Sequence, residues 1–146
     1  MSGDIMKKVL VISFMTLALS MSSLYAYDLR SNMLLLNAEL KEVQQGFISS
    51  EKKGIRDSIK RFAKRSQALL GNQKRFESML PQKKRHKSKE ALMSAQIIAH
   101  NVQIIRDAID NKYNRSETIR RENSQRAYTY IEHACFRCHN IVRDVK

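Results

Sequence analysis

The sequence is poor in the residues that make turns. It contains four glycines and one proline among 146 residues, and it has no tryptophan. A β-sandwich or a β-barrel needs many turns, so this composition argues against both. With two cysteines, the chain can build neither a disulfide-rich scaffold nor a four-thiolate zinc site. The hydrophobic content of 42% is enough for a core and argues against a wholly disordered chain.

Acidic residues are also scarce. The chain has 14 Asp and Glu against 27 Lys and Arg, so its formal net charge is +13. Residues 52–89 alone hold 14 of the basic residues and two of the acidic ones. Such a concentration of charge attracts nucleic acid, an anionic membrane surface or an acidic protein. The alternative is a solvated face that serves solubility.

The N-terminal residues indicate export. Lys7 and Lys8 precede an apolar run over residues 9–21, which is shorter than the about 20 residues that span a bilayer. Because small residues follow and Ala26 suits the position before a cleavage site, we predict a secretory signal peptide over residues 1–26 and a mature domain over 27–146. An uncleaved membrane anchor is the alternative. Export to the periplasm would separate the protein from nucleic acid.

Four apolar stripes with helical spacing cover the mature chain. The first has steps of three and four residues and consists of Leu29, Met33, Leu36, Leu40, Val43 and Phe47. The others cover residues 55–69, 91–109 and 127–145, and no stretch alternates like a strand. Steps of three and four favour shallow packing angles, so the predicted fold is all-α, an antiparallel four-helix bundle. Asn114 and Glu117 have capping-box spacing and predict the start of the fourth helix.

Residues 135–139 read Cys-Phe-Arg-Cys-His, which is the C-x-x-C-H motif of c-type haem attachment. Two thiols three residues apart lie on one side of a helix, where Cys135 and Cys138 can both reach the vinyl groups of a haem. His139 follows at once, so its imidazole can serve as the proximal iron ligand. Covalent haem attachment takes place outside the bacterial cytoplasm, in agreement with export. We therefore predict one covalently bound haem c.

Other uses of the two thiols fit the sequence less well. A redox C-x-x-C normally lies in a βαβ context, and none is visible. A zinc site would need His139 and a further ligand, such as His133 or His100. A disulfide within one helical turn would be strained.

The position of the motif near the C-terminus limits which families of c-type cytochrome fit the chain. Seven residues follow His139, which leaves no downstream segment to supply a methionine ligand as in small globular cytochromes c. A C-x-x-C-H on the last helix of a four-helix bundle resembles the class II cytochromes c, the cytochrome c′ and cytochrome c-556 family. The resemblance implies that Arg30 lies near a haem propionate and that Arg143 lies on the proximal side. Each would otherwise be an ordinary solvated arginine.

The resemblance also implies a distal residue on the first helix, and two neighbours qualify. Met33 would give six-coordinate iron and an electron carrier, whereas Leu34 would leave five-coordinate iron that binds NO or CO. The apolar stripe favours Met33, and the spacing from Arg30 that is usual in the family favours Leu34. We favour Met33 and predict a periplasmic electron-transfer protein, with the gas-binding protein as the alternative. Neither hypothesis makes the chain an enzyme.

The resemblance gives the basic residues 52–89 a role as well. We expect them to attract an acidic periplasmic redox protein or an anionic membrane surface. Members of the family are often dimers through their first two helices, so a homodimer is also implied. The positive charge of the second helix would oppose it.

Overall fold

The computed structural model describes residues 29–143, and the predicted signal peptide over residues 1–26 lies outside this range. All regular elements of the described residues are helical, which confirms the predicted all-α class. None of these helices is long and apolar enough to cross a membrane. The elements are α1 (residues 29–49), α2 (Lys52–Leu70), α3 (Gln73–Met79), a 3₁₀-helix (Gln82–Lys87), α4 (Ser88–Ile109) and α5 (Glu117–Val142).

The apolar stripes of the long helices form one common core. Burial of these side chains supplies the main driving force for the packing of the helices. Helices α1, α2, α4 and α5 all contribute to it, as do Phe76 and Met79 of the short α3. The most deeply buried large side chains, at most 1% exposed, are Ile59, Phe62, Phe76, Ile98, Ile105 and Ile131.

Helices α1 and α2 are joined by ion pairs and by one close approach. The Nε atom of Arg65 donates to both carboxylate oxygens of Glu39, at 3.2 Å each. Gly46 leaves room for α2, because a Cβ atom there would lie 2.5 Å from Cγ1 of Ile55. A larger residue at this position would force the two helices apart or displace Ile55.

The connection between α2 and α4 contains more structure than the sequence predicts. Its polar residues and Pro81 indicate a break between helices, yet α3 and the 3₁₀-helix occupy it. The Asn72 side chain accepts a hydrogen bond from the backbone of Arg75 at 3.0 Å and thereby caps α3. Seven residues are too few to display an apolar stripe, so α3 is not visible in the periodicity.

The predicted capping box at the start of α5 is wrong. The N-cap is Ser116, whose side chain accepts a hydrogen bond from the backbone of Ile119. Asn114 instead lies in the preceding turn with φ of 48°. Asparagine tolerates this left-handed conformation better than most residues, so it serves the turn and not the cap.

Candidate haem-attachment site

The three chemical groups of the motif lie in the last part of α5. Cys138 is 5% exposed, while Cys135 and His139 are partly buried. The two cysteines are not joined by a disulfide. Ser94 of α4 lies beside the Cys138 side chain in the same cavity wall, and its hydroxyl donates to the carbonyl oxygen of Ala134 at 3.3 Å. These contacts place one thiol between α5 and α4.

An apolar cavity of about 90 Å³ lies beside the motif. The motif contributes Cys135, Cys138 and His139 to its wall, and Ser94 lies there as well. Nearly all the remaining lining is apolar and comes from three other helices: Met33, Leu36, Asn37 and Leu40 of α1, Phe62 and Leu70 of α2, and Ile98 of α4. The cavity thus collects two thiols, an imidazole and a methionine thioether in one apolar place.

The two candidate distal residues have different surroundings. Met33 lines the cavity and packs against the hydrophobic core. The side chain of Leu34 does not line it, and Leu34 is 62% exposed. Consecutive residues of a helix differ in direction by about 100°, and at this point of α1 the difference directs Met33 to the cavity and Leu34 to the surface. The structure brings Met33, and not Leu34, to the motif.

Burial changes the protonation of the motif. It raises the pKa of the Cys135 thiol to about 11, with smaller contributions from the charges of Cys138 and Glu132. It also lowers the pKa of His139, and the positive charge of Arg143 acts in the same direction. At neutral pH the Cys135 thiol is therefore protonated, and the imidazole favours its neutral form. Neutral imidazole is the form that binds a metal ion.

The two arginines named by the resemblance are both exposed. Arg143 follows the last residue of α5, and its backbone N–H donates to the carbonyl oxygen of His139 at 2.9 Å. This contact keeps Arg143 near the imidazole. Arg30 lies in the first turn of the described part of α1, one helical turn before Met33.

The remaining histidines do not complete a metal site. His100 and His133 are both exposed, and His100 lies in a separate groove with Tyr130. Within residues 29–143, no group of three or more His, Cys, Asp or Glu side chains is arranged to hold a metal ion. A tetrahedral zinc site needs about four such ligands. Haem iron needs one or two from the protein, because the porphyrin supplies four nitrogens.

Sequence reasoning missed two contacts of α5. The Nζ atom of Lys87 in the 3₁₀-helix donates to the carbonyl oxygen of Ile141 at 2.8 Å. This places a cation at a helix C-terminus, where it is favourable. Tyr128 donates to Glu132 at 3.0 Å, and burial raises the pKa of Tyr128, with Glu132 adding to the effect. The spacing of four residues signals this second pair, but nothing local signals the first.

Comparison with known proteins adds no relative. Neither a protein-family model, nor a curated protein, nor a solved structure matches this chain. The functional argument therefore depends on the motif and on the geometry around it.

Proposed function

We propose that this chain is a periplasmic electron carrier with one covalent haem c, similar to the class II cytochromes c. The observation that carries the proposal is the single cavity shared by Met33, Cys135, Cys138 and His139. It combines two thiols for attachment with an imidazole and a thioether for the two axial positions of the iron. Bound haem would supply one-electron chemistry, with its potential set by these ligands and by burial.

The thiols suit the attachment chemistry. Each would add across a vinyl group, its sulfur bonding to one carbon and its hydrogen to the neighbouring carbon, so that no atom leaves. Burial raises the pKa of Cys135 to about 11 and so reduces its thiolate fraction at neutral pH, and thiols are poorer nucleophiles than thiolates. This slows unwanted disulfide exchange before haem is attached. Cys138 is 5% exposed, so packing holds its side chain in place.

The cavity fits haem by its chemistry and by its apolar lining. Its volume of about 90 Å³ is below the roughly 300 Å³ at which ligand pockets begin. Haem would therefore widen the space between the helices. The apolar side chains of Leu36, Leu40 and Phe62 would then cover it from water, which raises the cost of charge at the iron and so affects the potential.

The proposal includes the finer fold, an antiparallel four-helix bundle of α1, α2, α4 and α5. Contacts between neighbouring helices support it. Glu39 pairs with Arg65 and the later Glu42 pairs with the earlier Arg61, as expected for helices that run in opposite directions. The proposal also includes a signal peptide over residues 1–26, since haem attachment requires export.

The first test is whether haem becomes covalently attached to the chain. The protein, expressed in a bacterium with the haem-attachment machinery, should show a haem-stained band that survives denaturing electrophoresis. The variant with Cys135→Ser and Cys138→Ser should lose this band but keep its helical circular dichroism. An unmodified wild-type chain, recovered from a host that loads a control cytochrome c, would contradict the proposal.

A five-coordinate protein that binds NO or CO is the second candidate. It would use the same attachment residues with Leu34 near the distal side of the haem. The exposure of Leu34 and the place of Met33 in the cavity favour the electron carrier. The ferric spin state and the rate of CO binding to the ferrous form distinguish the two.

A further inference from the structure

The basic residues 52–89 differ in their partners, and two groups of them contrast clearly. Four basic residues of α2 have carboxylates of other elements within ion-pair distance. Acidic residues from α1, the end of α4 and the start of α5 therefore offset much of the charge of α2. These pairs are Lys52–Glu117, Arg56–Asp110, Arg61–Glu42 and Arg65–Glu39.

The second group keeps its charge. Arg85 donates to the carbonyl oxygen of Leu80 at 3.5 Å, and Lys87 donates to that of Ile141. Carbonyl groups orient these cations without neutralising them. Among the residues that the structure describes, no carboxylate lies within ion-pair distance of Arg85, Lys87 or Lys89. Lys53, Lys60, Lys64, Lys74 and Arg75 also lack an ion-paired carboxylate among the described residues. The cations around the 3₁₀-helix, Arg85, Lys87 and Lys89, are therefore one of several places where positive charge is not offset.

This charge lies next to the motif. Lys87 contacts Ile141, which is two residues beyond His139, and Arg137 inside the motif forms an ion pair with Glu90 at 3.5 Å. The two contacts hold the start of α4 and the end of the 3₁₀-helix against the last two turns of α5. A partner attracted by these cations would therefore arrive beside the attachment site.

One large apolar side chain is exposed at the same end of α5. Phe136 lies between the two cysteines and is 65% exposed, and the neighbouring Arg137 is also exposed. Aromatic residues and arginine are enriched at the centres of protein interfaces. A phenylalanine that is largely exposed beside cations is better suited to a protein partner than to water.

We propose that Arg85, Lys87, Lys89, Phe136 and Arg137, here called the basic end, form the docking surface for an electron-transfer protein with an acidic face around its redox centre. This inference rests on the proposed function and names the partner of the same site. One electron would pass from the partner, which is oxidised, to ferric iron, which becomes ferrous, and neither a proton nor a leaving group is required.

The composition of the 3₁₀-helix favours a protein over a membrane. Its residues read Gln-Lys-Lys-Arg-His-Lys, and none of them is apolar. Helices that lie in a membrane interface present a broad apolar face to the acyl chains. The basic end offers charge and one aromatic side chain instead, in a rigid position fixed by the contacts to α5.

The test compares two variants of equal net charge in the haem-loaded protein. R85E/K89E reverses two cations of the basic end, and K53E/K60E reverses two exposed cations of α2. The probe is a flavodoxin of strongly negative net charge. Stopped-flow absorbance gives the second-order rate of haem reduction by the reduced flavodoxin at low and high salt. Titration calorimetry of the two oxidised proteins gives the affinity without electron transfer.

We expect R85E/K89E to slow reduction about tenfold or more at low salt and to remove most of its salt dependence, because steering by local charge is lost. K53E/K60E should slow it by at most about threefold and keep the salt dependence. The affinity should follow the same order, and the milder R85Q/K89Q should lie between wild type and R85E/K89E.

Three results would overturn the docking surface. Equal effects of the two charge reversals on the reduction rate would show that net charge alone matters. If neither reversal changed the rate, docking would not be electrostatic. Loss of binding of R85E/K89E to phosphatidylserine vesicles, with unchanged reduction by flavodoxin, would assign the surface to a membrane. Each variant is first checked for covalent haem and a wild-type spectrum, so that failure of the proposed function is recognised separately.

Discussion

Met33 of α1 and His139 of α5 line the same apolar cavity, although they lie near opposite ends of the described chain. Helical packing thus brings a thioether and an imidazole to one space that also contains both cysteine thiols. A pair of this kind provides the two axial ligands of a low-spin haem iron. The arrangement is the one expected of the proposed six-coordinate electron carrier, whereas a five-coordinate gas-binding protein would have no thioether there.

Met33 is the residue that tests this distinction. In the haem-loaded protein, Met33→Ala should convert a low-spin ferric spectrum into a high-spin one and speed CO binding to the ferrous form, because the sixth position becomes open. Absorption and electron paramagnetic resonance spectra measure the change. Leu34→Ala is the matched control and should leave the spectra unchanged, since Leu34 is 62% exposed.

Either of two spectra would contradict this assignment. A low-spin spectrum that survives Met33→Ala would mean that another side chain binds the iron. A wild-type protein that is already high-spin and binds CO quickly would favour the gas-binding alternative.

The Cys135 thiol should titrate unusually late in the protein without haem. Its pKa is raised from 9.0 to about 11, mainly by burial. The rate of alkylation by iodoacetamide should therefore keep rising up to about pH 11, whereas in urea it should level off near pH 9. Trypsin cuts after Arg137 and separates the two cysteines, so mass spectrometry can follow each one.

The same shift links stability to pH. The folded state keeps the Cys135 proton at a pH where the unfolded chain has lost it, so this contribution is complete below pH 9 and disappears as the pH rises through about 11. An alkylation profile of the folded protein that matches the profile in urea would contradict the burial of this thiol.

Sequence periodicity predicts the long helices because their apolar residues face one core. Val43, Ile59, Ile98 and Ile131 belong to the predicted stripes, and each is at most 1% exposed. The motif is equally visible, because its residues are consecutive. These features depend on local spacing, which a single sequence contains in full.

Contacts between distant elements are not visible in this way. To choose between Met33 and Leu34, one must know how α1 is rotated about its axis relative to α5. An error of one residue in register would exchange the two side chains. The role of Lys87 depends on a fold that brings the 3₁₀-helix to Ile141. From the sequence it is one of many cations in residues 52–89.

The buried pair of Glu39 and Arg65 should matter more than its exposed neighbour. The Glu39 side chain is 9% exposed and that of Arg65 32%, so Arg65→Met would leave a nearly buried carboxylate without its cation. We expect the free energy of unfolding to fall by about 1–3 kcal/mol. The control Arg61→Met breaks the exposed pair with Glu42 and should cost at most about 1 kcal/mol. Equal losses in urea denaturation would contradict this ranking.

Gly46 should tolerate a larger side chain poorly. An alanine Cβ atom would lie 2.5 Å from Cγ1 of Ile55, which is 5% exposed and cannot move freely. Overpacking should outweigh the helix propensity of alanine, so Gly46→Ala should lower the free energy of unfolding by about 1–2 kcal/mol.

In Gly54→Ala the new Cβ atom would meet the side chain of Glu51 at 3.2 Å. Because Glu51 is exposed and flexible, this control should stabilise α2 by up to about 1 kcal/mol. Stabilisation by both substitutions in urea denaturation would show that α1 and α2 do not approach closely at Gly46.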